Sequence, residues 1–464
     1  MSARKKILIV LLIPLAMALV AVSSINVALP SIEHGLEATA SQLQWMLAGY
    51  ALTFGVFLVP FGRLGDLLGR STFFTIGLAL FCLSTALCGV ASDPVTLNVF
   101  RFIQGFAAAV YSPQTAGIIQ TYFHGKDRAR AFAMFGLTVS VAVAIGPVVA
   151  GTIISAMDPA WGWRWSFWFM VPIGIIGIYL ALKWLPFADE KAHRKKGKLD
   201  LDPVGMVLLA STVVCIMYPF MYHGDNHFIW LLTPLAAVLA FTWIVWEQRY
   251  QKRGRSPMVD LGLFKLHSFG WGTVISGIMF MGSTSIFSTL AIYLQNGQDF
   301  SALSAGLMGF GGAVTSALTA YLSGNYSLQY GRQICIASLG AMVGGMAMAI
   351  AIIYMNGMHD VNIWWLFLAF SVVGLGQGAF GSANQTITML DVPPAEGGTA
   401  GAFKQTSERV ATAIGNAIMT GILFSILPAT NWNHAITATF MAIFGIVTVA
   451  LVLQVADLAT AKRK

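Results

Sequence analysis

GRLGDLLGR, residues 62–70, places three glycines and three charged side chains within nine positions of a chain that otherwise avoids charge. Long apolar runs lie on both sides of this stretch. Only 10% of the 464 residues are Asp, Glu, Lys or Arg, whereas soluble domains carry about 25%. Charge costs little at a membrane surface and much inside the membrane. The stretch therefore predicts a connection between two membrane spans.

The overall composition also indicates a membrane protein. Hydrophobic residues make up 57% of the chain and its mean hydropathy is +0.73, which is more apolar surface than a soluble fold could bury. Since a membrane helix needs about 20 apolar residues, the sequence predicts an all-α polytopic membrane protein with about fourteen spans. The apolar runs lie at 7–30, 45–63, 72–92, 95–122, 130–156, 165–186, 204–223, 229–246, 268–294, 302–324, 333–355, 361–388, 400–427 and 434–456.

Basic residues are concentrated in alternate connections between these runs. Arg164 is the single basic residue of the opposite set. Lys and Arg favour the cytoplasmic side, so we expect a multi-pass protein of the cell membrane with both termini cytoplasmic and an uncleaved first span. Short basic loops of this kind indicate topology and no nucleic-acid partner. The basic set comprises Arg63, Arg70, residues 126–130, 193–198 and 249–255, Arg332 and the C-terminal KRK.

A weak internal repeat divides the chain. GNYSLQYGR, residues 324–332, follows the tenth predicted span as GRLGDLLGR follows the second, although Leu328 replaces Asp66. The shared positions are Gly62, Gly69 and Arg70 against Gly324, Gly331 and Arg332. Parallel repeats are typical of transporters, so we expect two six-helix bundles with two extra central spans. The predicted limits are a bundle at 1–187, a loop at 188–203, the extra pair at 204–246, a linker at 247–267 and a bundle at 268–464.

The sequence contains no motif for catalysis or for binding a cofactor. The phosphate-binding pattern GxxxxGK[ST] and the catalytic patterns HExxH and GxSxG do not occur. The cysteines lie in apolar runs without metal-ligand spacing and are expected to be reduced packing residues. We therefore predict that the protein is not an enzyme and needs no cofactor or metal. The cysteines are Cys82, Cys88, Cys215 and Cys335.

Five stretches together resemble the major facilitator superfamily. GRLGDLLGR is similar to the signature between its second and third helices, and RFIQG, residues 101–105, places an arginine in the fourth span. Residues 23–30, 136–151 and 398–417 resemble segments of its fourteen-helix drug:proton antiporters. The resemblance implies the major facilitator fold, a monomer, and proton-driven export of small amphipathic or drug-like compounds by alternating access.

The resemblance implies a cytoplasmic gate at residues 62–70. In the family the acid at Asp66 latches the two halves together in the outward-facing state. Its expected partner is Arg70 or Arg130, and the helix that starts near Gly398 would also favour its negative charge. The alternative is a solvated turn. Three glycines are expected to allow a tight turn and close helix approach: Gly62, Gly65 and Gly69.

Charged residues within spans are candidates for proton coupling. The resemblance implies this role for Arg101, and the alternative is an arginine that extends to the outer interface. Glu408, beside Arg409, is the one acid that the sequence places deep in an apolar span. It is the leading candidate to bind and release the coupled proton. The alternative is a static ion pair with Lys404 or Arg409 that stabilises helix packing.

The fifth span has the glycine and proline spacing of the family's antiporters. The resemblance implies a helix that shapes the cavity and disfavours leak, and the alternative is ordinary small-residue packing. A proline in a membrane helix removes one backbone hydrogen bond, which packed neighbours can accommodate. The residues concerned are Gly136, Gly146, Pro147 and Gly151.

Polar and aromatic residues at suitable depth are candidates for a substrate cavity, although each is equally consistent with a helix contact. They are Asn26, Trp45, Tyr50, Gln104, Tyr111, Gln114, Gln377, Asn384 and Gln385. The first span departs from the family pattern, because Ala21 stands where relatives usually carry an acid, five residues before Asn26. The N-terminal spans then offer no acid to meet a cation. We expect a neutral, zwitterionic, anionic or lipid-like substrate.

Proton-coupled export is the leading prediction, with protons, a small-molecule or lipid-like substrate and the bilayer as partners. Proton-coupled symport is the nearest alternative, followed by a lipid or glycolipid flippase on the same fold. A membrane-embedded enzyme would need a reactive cluster that the sequence lacks. A receptor or scaffold would not need Arg101 or the loop signature.

Overall fold

Every regular element of the structure is helical in the part of the chain that it describes. The structure is a computed structural model that describes residues 2–157, 159–193, 200–222, 226–300, 302–359 and 361–461. Two basic stretches used to predict orientation, 194–198 and 462–464, lie outside these ranges, as do residues 223–225 of a predicted outer loop. The α-helices are α1 Ala3–Leu36, α2 Ala40–Leu68, α3 Arg70–Val90, α4 Pro94–Tyr122, α5 Gly125–Ala156, α6 Pro159–Trp168, α7 Met170–Trp184, α8 Phe187–His193, α9 Pro203–Met221, α10 Leu232–Lys252, α11 His267–Ser283, α12 Ser285–Ile292, α13 Ala302–Gly324, α14 Ser327–His359, α15 Leu366–Thr388, α16 Gly397–Ile426 and α17 Trp432–Ala461.

Thirteen segments of the described chain are long and apolar enough to cross a membrane. The sequence predicted about fourteen, and the helix that accounts for the difference is α4. It has 29 residues, but Arg101, Asn98 and three glutamines reduce its hydropathy. The predicted count of fourteen is therefore not confirmed.

Local signals determine where α2 and α4 begin. Thr39 and Gln42 form a capping box at the start of α2, with the Thr39 amide donating to Oε1 of Gln42 at 2.9 Å. Asp93 caps α4 by accepting hydrogen bonds from the amides of Val95 and Thr96 at 3.0 and 2.9 Å. Pro94 then occupies the first helical turn, where the N–H that it lacks would have no helical partner.

Several predicted boundaries differ from the structure. The predicted sixth span, 165–186, consists of α6 and α7 with Phe169 between them, and the ninth, 268–294, is interrupted at Thr284. A π-helical turn, Tyr293–Gly297, follows α12. The predicted loop at 188–203 begins with the short helix α8. Apolar runs locate spans but do not reveal breaks within them, because a break changes the backbone and not the hydropathy.

The described chain divides into two compact units. The first comprises Met1–His124, Ala142–Lys265 and Val392–Thr406. The second comprises Gly125–Val141, Leu266–Asp391 and Ser407–Lys464. Two helices, α5 and α16, contribute residues to both units.

The first unit contains α1 to α4, α6, α7 and the extra pair. Within it α4 packs against α2 and α3, and α7 packs against α1 and α3. The extra helices α9 and α10 pack against each other, and α9 also packs against α2. Trp163 of α6 is fully buried in a cluster with Ile25, Met46 and Leu97. The extra pair is therefore part of the same compact unit as α2.

The second unit is built around α15. This helix packs against α13 and α14, and α17 packs against α14 and α11. Two glycines of α15 let the backbone of α13 come close. A Cβ atom at Gly374 or Gly378 would overlap the carbonyl oxygen of Gly312 or Ser316 respectively. Small residues at such crossings let helix backbones approach each other.

We expect Gly378→Ala to lower the melting temperature of the purified protein, because the added methyl group forces α15 away from α13. Overpacking of this kind costs about 1–3 kcal/mol. Gly340→Ala is the matched control, since a Cβ atom at Gly340 meets nothing within 4 Å. Equal melting temperatures for the two variants would contradict the close contact at Gly378.

Candidate functional site

The stretch at 62–70 is mostly helix. Because α2 ends at Leu68 and α3 begins at Arg70, Gly69 alone connects the two helices. Its φ of 117° lies in the region that glycine adopts without steric cost. The sequence predicted that Gly62 and Gly65 would also serve the turn. The structure corrects this, since both lie within α2.

Gly62 and Gly65 allow neighbouring helices to approach α2 closely. A Cβ atom at Gly62 would lie 2.8 Å from Cβ of Ala402 and 2.9 Å from the carbonyl oxygen of Gly398. A Cβ atom at Gly65 would overlap Oε1 of Gln114 on α4. Both glycines therefore occupy close helix contacts, which is the second role that the sequence suggested for them.

Asp66 caps the start of α16. Its Oδ1 accepts a hydrogen bond from the amide of Gly398 at 3.1 Å, and its Oδ2 accepts from the amide of Thr399 at 2.8 Å. The hydroxyl of Thr399 also donates to Oδ2 at 2.8 Å. The first amides of a helix have no partner within the helix and carry its positive dipole end. The carboxylate therefore supplies a cap from a distant part of the sequence.

Arg70 is the cationic partner of Asp66. Of the two arginines considered from the sequence, it is Arg70 whose Nε and Nη2 lie 2.7 and 2.6 Å from Oδ1 of Asp66. Its Nη1 donates to the carbonyl oxygen of Gly117 at 2.7 Å and to the hydroxyl of Thr121, and its Nη2 donates to the carbonyl oxygen of Pro394 at 2.6 Å. One buried guanidinium thus joins α2, α4 and the segment before α16.

Gly117 makes room for this guanidinium and was not identified from the sequence. A Cβ atom at Gly117 would lie 2.6 Å from Nε of Arg70. Gln120, one turn further along α4, donates to the carbonyl oxygen of Val392 at 2.8 Å. The face of α4 that carries these residues therefore also binds the segment before α16. We call Asp66, Arg70, Gly117, Gly398 and Thr399 the Asp66 cluster.

The second repeat has a related contact without the carboxylate. Gly324 corresponds to Gly62, and a Cβ atom there would overlap Cβ of Ala133 near the start of α5. Arg130, the other arginine considered for Asp66, directs its Nε to Oδ1 of Asn325 at 3.4 Å. In each unit a glycine at the end of one helix thus faces the first turns of another.

Asp457 supplies an acid to the second repeat from α17. Its Oδ2 lies 2.9 Å from Nε of Arg332, the counterpart of Arg70, and accepts from Nε2 of Gln454 at 3.0 Å. Nδ1 of His267 lies 3.2 Å from its Oδ1. The sequence repeat shows Leu328 in place of Asp66 and so did not suggest a carboxylate here. The acid reaches Arg332 through the fold and not through the repeat.

Glu190 of α8 caps the start of α3 and was also missed. Its carboxylate accepts from the amide of Ser71 at 2.9 Å and from the Ser71 hydroxyl at 2.8 Å. Burial raises the pKa of Glu190 above its ordinary value, while the bonds from Ser71 and the charge of Arg70 lower it. The charged run at 188–191 read as loop in the sequence, so only its helix-capping contact reveals this role.

Arg101 is buried within the first unit. Only 1% of its surface is exposed, and its Nε donates to the carbonyl oxygen of Met46 at 3.0 Å. Its Nη1 donates to Oε1 of Gln104, whose Nε2 donates to Thr85 at 2.7 Å. The Tyr50 ring lies 4.6 Å from its Cζ. This burial does not fit the alternative in which Arg101 extends to the outer interface.

Glu408 lies within α16, in the residues of the second unit. Its Oε1 accepts a hydrogen bond from the hydroxyl of Ser276 at 2.5 Å. Glu408 and Arg409 are both partly buried, and Lys404 is 4% exposed. A carboxyl bonded to a hydroxyl can bind a proton without losing this contact, because the hydroxyl can turn from donor to acceptor.

The four predicted residues of α5 are not equivalent. A Cβ atom at Gly146 would overlap Oγ of Ser23 and lie 3.3 Å from Cα of Val20, whereas one at Gly151 would lie 3.7 Å from its nearest neighbour. A Cβ atom at Gly136 would make ordinary contacts from 3.4 Å. Pro147 lies inside an otherwise continuous helix. Of the three glycines, Gly146 alone marks a tight helix contact, and it faces α1.

Five of the nine predicted cavity residues are buried in this structure. Tyr111 donates to the carbonyl oxygen of Pro14, Gln114 donates to that of Phe61, and Asn384 donates to that of Gly272. These three and Gln104 are at most 2% exposed, and Tyr50 is 5% exposed. Their burial between helices fits the alternative in which they are helix contacts, and a role in substrate binding stays a prediction for them.

The other predicted cavity residues are more accessible. Asn26 is exposed and donates to the carbonyl oxygen of Val22 in its own helix at 3.5 Å. Trp45 is half-buried between Phe102 and Tyr218, with ring centroids 6.1 and 5.7 Å away. Gln377 and Gln385 are half-buried on α15. A role in substrate binding remains a prediction for these four.

The sequence matches known proteins along most of its length. The profile described as the Major Facilitator Superfamily matches residues 11–416. The "Probable actinorhodin transporter" of Streptomyces coelicolor is 30% identical over 408 residues, which cover 87% of this chain and 69% of that protein. The "Riboflavin transporter RibZ" of Clostridioides difficile is 28% identical, covering 89% and 86%. The "Multidrug resistance protein Stp" of Mycobacterium tuberculosis is 26% identical, covering 88% and 74%.

Solved structures are similar in fold. The proton:xylose symporter XylE superposes with a TM-score of 0.70 at 14% identity, over 97% of this chain and 95% of that chain. The human organic anion transporter MFSD10 superposes with a TM-score of 0.66 at 14% identity, over 98% and 100%. At this identity the likeness concerns the arrangement of helices alone.

We expect Asp66→Asn to accelerate hydrogen exchange at the amides of Gly398 and Thr399 by about tenfold or more, since hydrogen bonds to charged groups contribute about 1.5–3 kcal/mol. Asp93→Asn, which changes the cap of α4 instead, is the matched control. Mass spectrometry of peptides covering the start of α16 measures the effect. Unchanged exchange in Asp66→Asn would mean that the carboxylate does not hold the start of α16.

We expect Gly146→Ala to destabilise the protein by about 1–3 kcal/mol, because its methyl group would displace α1. Gly151→Ala has space for the methyl group and should leave the melting temperature unchanged or slightly higher. The double variant Gly146→Ala with Ser23→Gly should recover part of the loss. Equal effects at Gly146 and Gly151 would contradict the contact with α1.

Proposed function

This chain belongs to the major facilitator superfamily, and we propose that it is a proton-coupled antiporter that exports small amphipathic or drug-like compounds by alternating access. Two of its relatives are named as transporters, of actinorhodin and of riboflavin, and a third is named as a multidrug resistance protein. Antiport, proton coupling and direction are the proposed part.

The observation that carries the proposal is the cap that Asp66 places on α16. A buried carboxylate bonded to the first amides of a helix is held by several directed bonds, yet all of them can be replaced by water when the helix moves away. Such a contact suits a gate that closes firmly and opens reversibly. Positive-inside topology would place this gate on the cytoplasmic side, with both termini there.

Glu408 is the proposed coupling group. A proton-coupled transporter needs a side chain that is protonated in one part of the cycle and ionised in another. The Ser276 hydroxyl donates a hydrogen bond of 2.5 Å to the ionised carboxylate of Glu408. The same hydroxyl can accept a hydrogen bond when the carboxyl is protonated. We assign Arg101 a supporting role, since its buried positive charge contributes to the electrostatic potential inside the N-terminal bundle.

We propose a neutral, zwitterionic or anionic substrate. Ala21 is buried at 1% exposure and Asn26 is exposed on the same helix, so residues 21–26 of α1 offer an amide and no carboxylate. An amide can bind donors and acceptors of many compounds but does not attract a cation. The relatives named for actinorhodin, riboflavin and multidrug resistance span several chemical classes.

We further propose that α4 is a membrane span despite its low hydropathy, which gives fourteen spans. Its polar residues are buried against neighbouring helices: Arg101, Gln104, Gln114 and Gln120 are at most 1% exposed. Polar side chains that face a bundle interior are compatible with a membrane helix. We propose that a single copy performs transport, because each bundle has its own core.

The test is transport by purified protein in liposomes with an imposed pH gradient, comparing wild type with Glu408→Gln. The substrates should include cationic dyes, neutral drugs, acidic aromatic compounds and a fluorescent lysolipid. We expect gradient-driven movement of a neutral or acidic compound by wild type. Glu408→Gln should still bind this compound but should lose at least about tenfold in gradient-driven rate, the scale on which proton-transfer groups contribute.

Glu33→Gln, at an exposed position of α1, is the matched control and should keep wild-type coupling. Full coupling in Glu408→Gln would remove Glu408 from the proposal. Movement of substrate in the same direction as protons would indicate symport, and movement of the lysolipid alone would indicate a flippase. Either of these results would replace drug export by the corresponding alternative.

A further inference from the structure

A second pair of acidic residues lies at the end of the extra helices, away from the Asp66 cluster. Asp202 precedes α9 as its N-cap and is 0% exposed. Its Oδ1 accepts from the amide of Gly205 at 3.0 Å and from the indole Nε1 of Trp246 at 2.8 Å. Its φ of 43° is unusual for a residue other than glycine. The site is therefore built closely around one carboxyl.

Glu247 of α10 brings a second buried carboxyl to the same place. It is 1% exposed, and its Oε2 accepts from the amide of Met258 at 3.1 Å. Met258 and Val259 belong to the linker that follows α10 and are fully buried. The indole N–H of Trp243, one turn before Glu247, also faces this carboxyl but has no hydrogen-bond partner among the described residues.

One oxygen of each carboxyl remains without a donor. Within the described chain, neither Oδ2 of Asp202 nor Oε1 of Glu247 has a hydrogen-bond partner, and both are inaccessible. Both face the same small space beside Gly205. A Cβ atom at Gly205 would overlap Oδ2 of Asp202 and would lie 2.9 Å from Oε1 of Glu247. Two acceptors without donors thus lie beside the same point, where a hydrogen-bond donor is needed.

A single proton satisfies both oxygens. Two ionised carboxylates side by side in a buried site repel each other, and each would also lack a hydrogen bond. Protonating one of them removes a charge and creates an O–H donor for the other. We propose that Asp202 and Glu247 bind one proton between them, forming a carboxyl–carboxylate hydrogen bond that holds the linker to the extra helices.

Among the described residues, no ion pair joins Asp202 or Glu247 to a Lys or Arg side chain. Asp200 accepts from the Tyr250 hydroxyl at 2.5 Å and from the amide of Ser256 at 2.9 Å. The cationic groups Arg255 and Arg63 interact with Asp200. Tyr250 carries no positive charge in either of its protonation states, so a proton is what can reduce the negative charge of the pair. A metal ion would be expected to gather more oxygen ligands than two carboxyls.

The pair is connected to the helix that carries the gate contact. Trp243 stacks on Phe403 of α16 with ring centroids 6.3 Å apart, and Phe264 packs edge-on against Phe403 at 4.9 Å. Phe403 follows Gly398 and Thr399 by one turn. Loss of the shared proton would separate Glu247 from Asp202 and so loosen α10 where Trp243 supports α16. The inference does not depend on proton-coupled transport.

The test measures the melting temperature of substrate-free protein from about pH 5 to pH 9, where a folded state that binds an extra proton loses stability as the pH rises. Glu247→Gln replaces the O–H donor by an N–H donor that does not titrate. We expect wild type to lose stability across this range, and we expect Glu247→Gln and Asp202→Asn to show a smaller loss. Glu33→Gln is the control and should follow wild type.

Infrared spectroscopy gives an independent readout of the shared proton. The carbonyl band of a protonated carboxylic acid should be present in wild type and Glu33→Gln at neutral pH, and weaker in Glu247→Gln and Asp202→Asn. An unchanged band in both variants, or the same pH slope in wild type and Glu247→Gln, would overturn the proposal. Greater stabilisation of wild type than of Glu247→Gln by sodium ions at constant pH would also overturn it, because it would assign the site to a cation.

Discussion

The bond between the Asp66 carboxylate and the first amides of α16 is the constraint around which the Asp66 cluster is arranged. Asp66 is almost completely buried, and a buried carboxylate without partners is strongly destabilising. Every neighbouring feature reduces that cost. Arg70 supplies the opposite charge, Gly117 makes room for Arg70, and Gly62 lets the start of α16 come within hydrogen-bonding distance. Removing any one of them would affect the other contacts.

The internal repeat conserves this geometry but not its chemistry. At Gly324, as at Gly62, a missing side chain allows the first turns of another helix to approach. The second contact has Asn325 and Arg130 near it in place of a carboxylate, and the acid of its unit, Asp457, comes from α17. The repeat therefore provides two helix contacts of similar shape that differ in their charged groups. The contact at Gly62, which contains a buried carboxylate, depends more strongly on its electrostatic surroundings.

The sequence predicted the helical class, most spans and the arginine and helix start near Asp66, because hydropathy, charge and glycine spacing are local properties. It did not predict the break at Phe169. It also did not distinguish burial from cavity lining for Gln104, Tyr111, Gln114 and Asn384. A polar residue in an apolar run looks the same whether it faces a cavity or a neighbouring helix. Contacts such as Arg70 with Pro394 join distant positions for which no spacing rule exists.

The single-residue connection at Gly69 determines what separates during transport under the proposed mechanism. Asp66 and Arg70 lie on either side of it, only four positions apart, so they move as one neutral pair. When α16 leaves, the carboxylate loses its amide donors but keeps its counter-ion. Opening then exposes a neutral ion pair to water and not an isolated charge. Under the proposed mechanism this lowers the free-energy barrier between the two conformations.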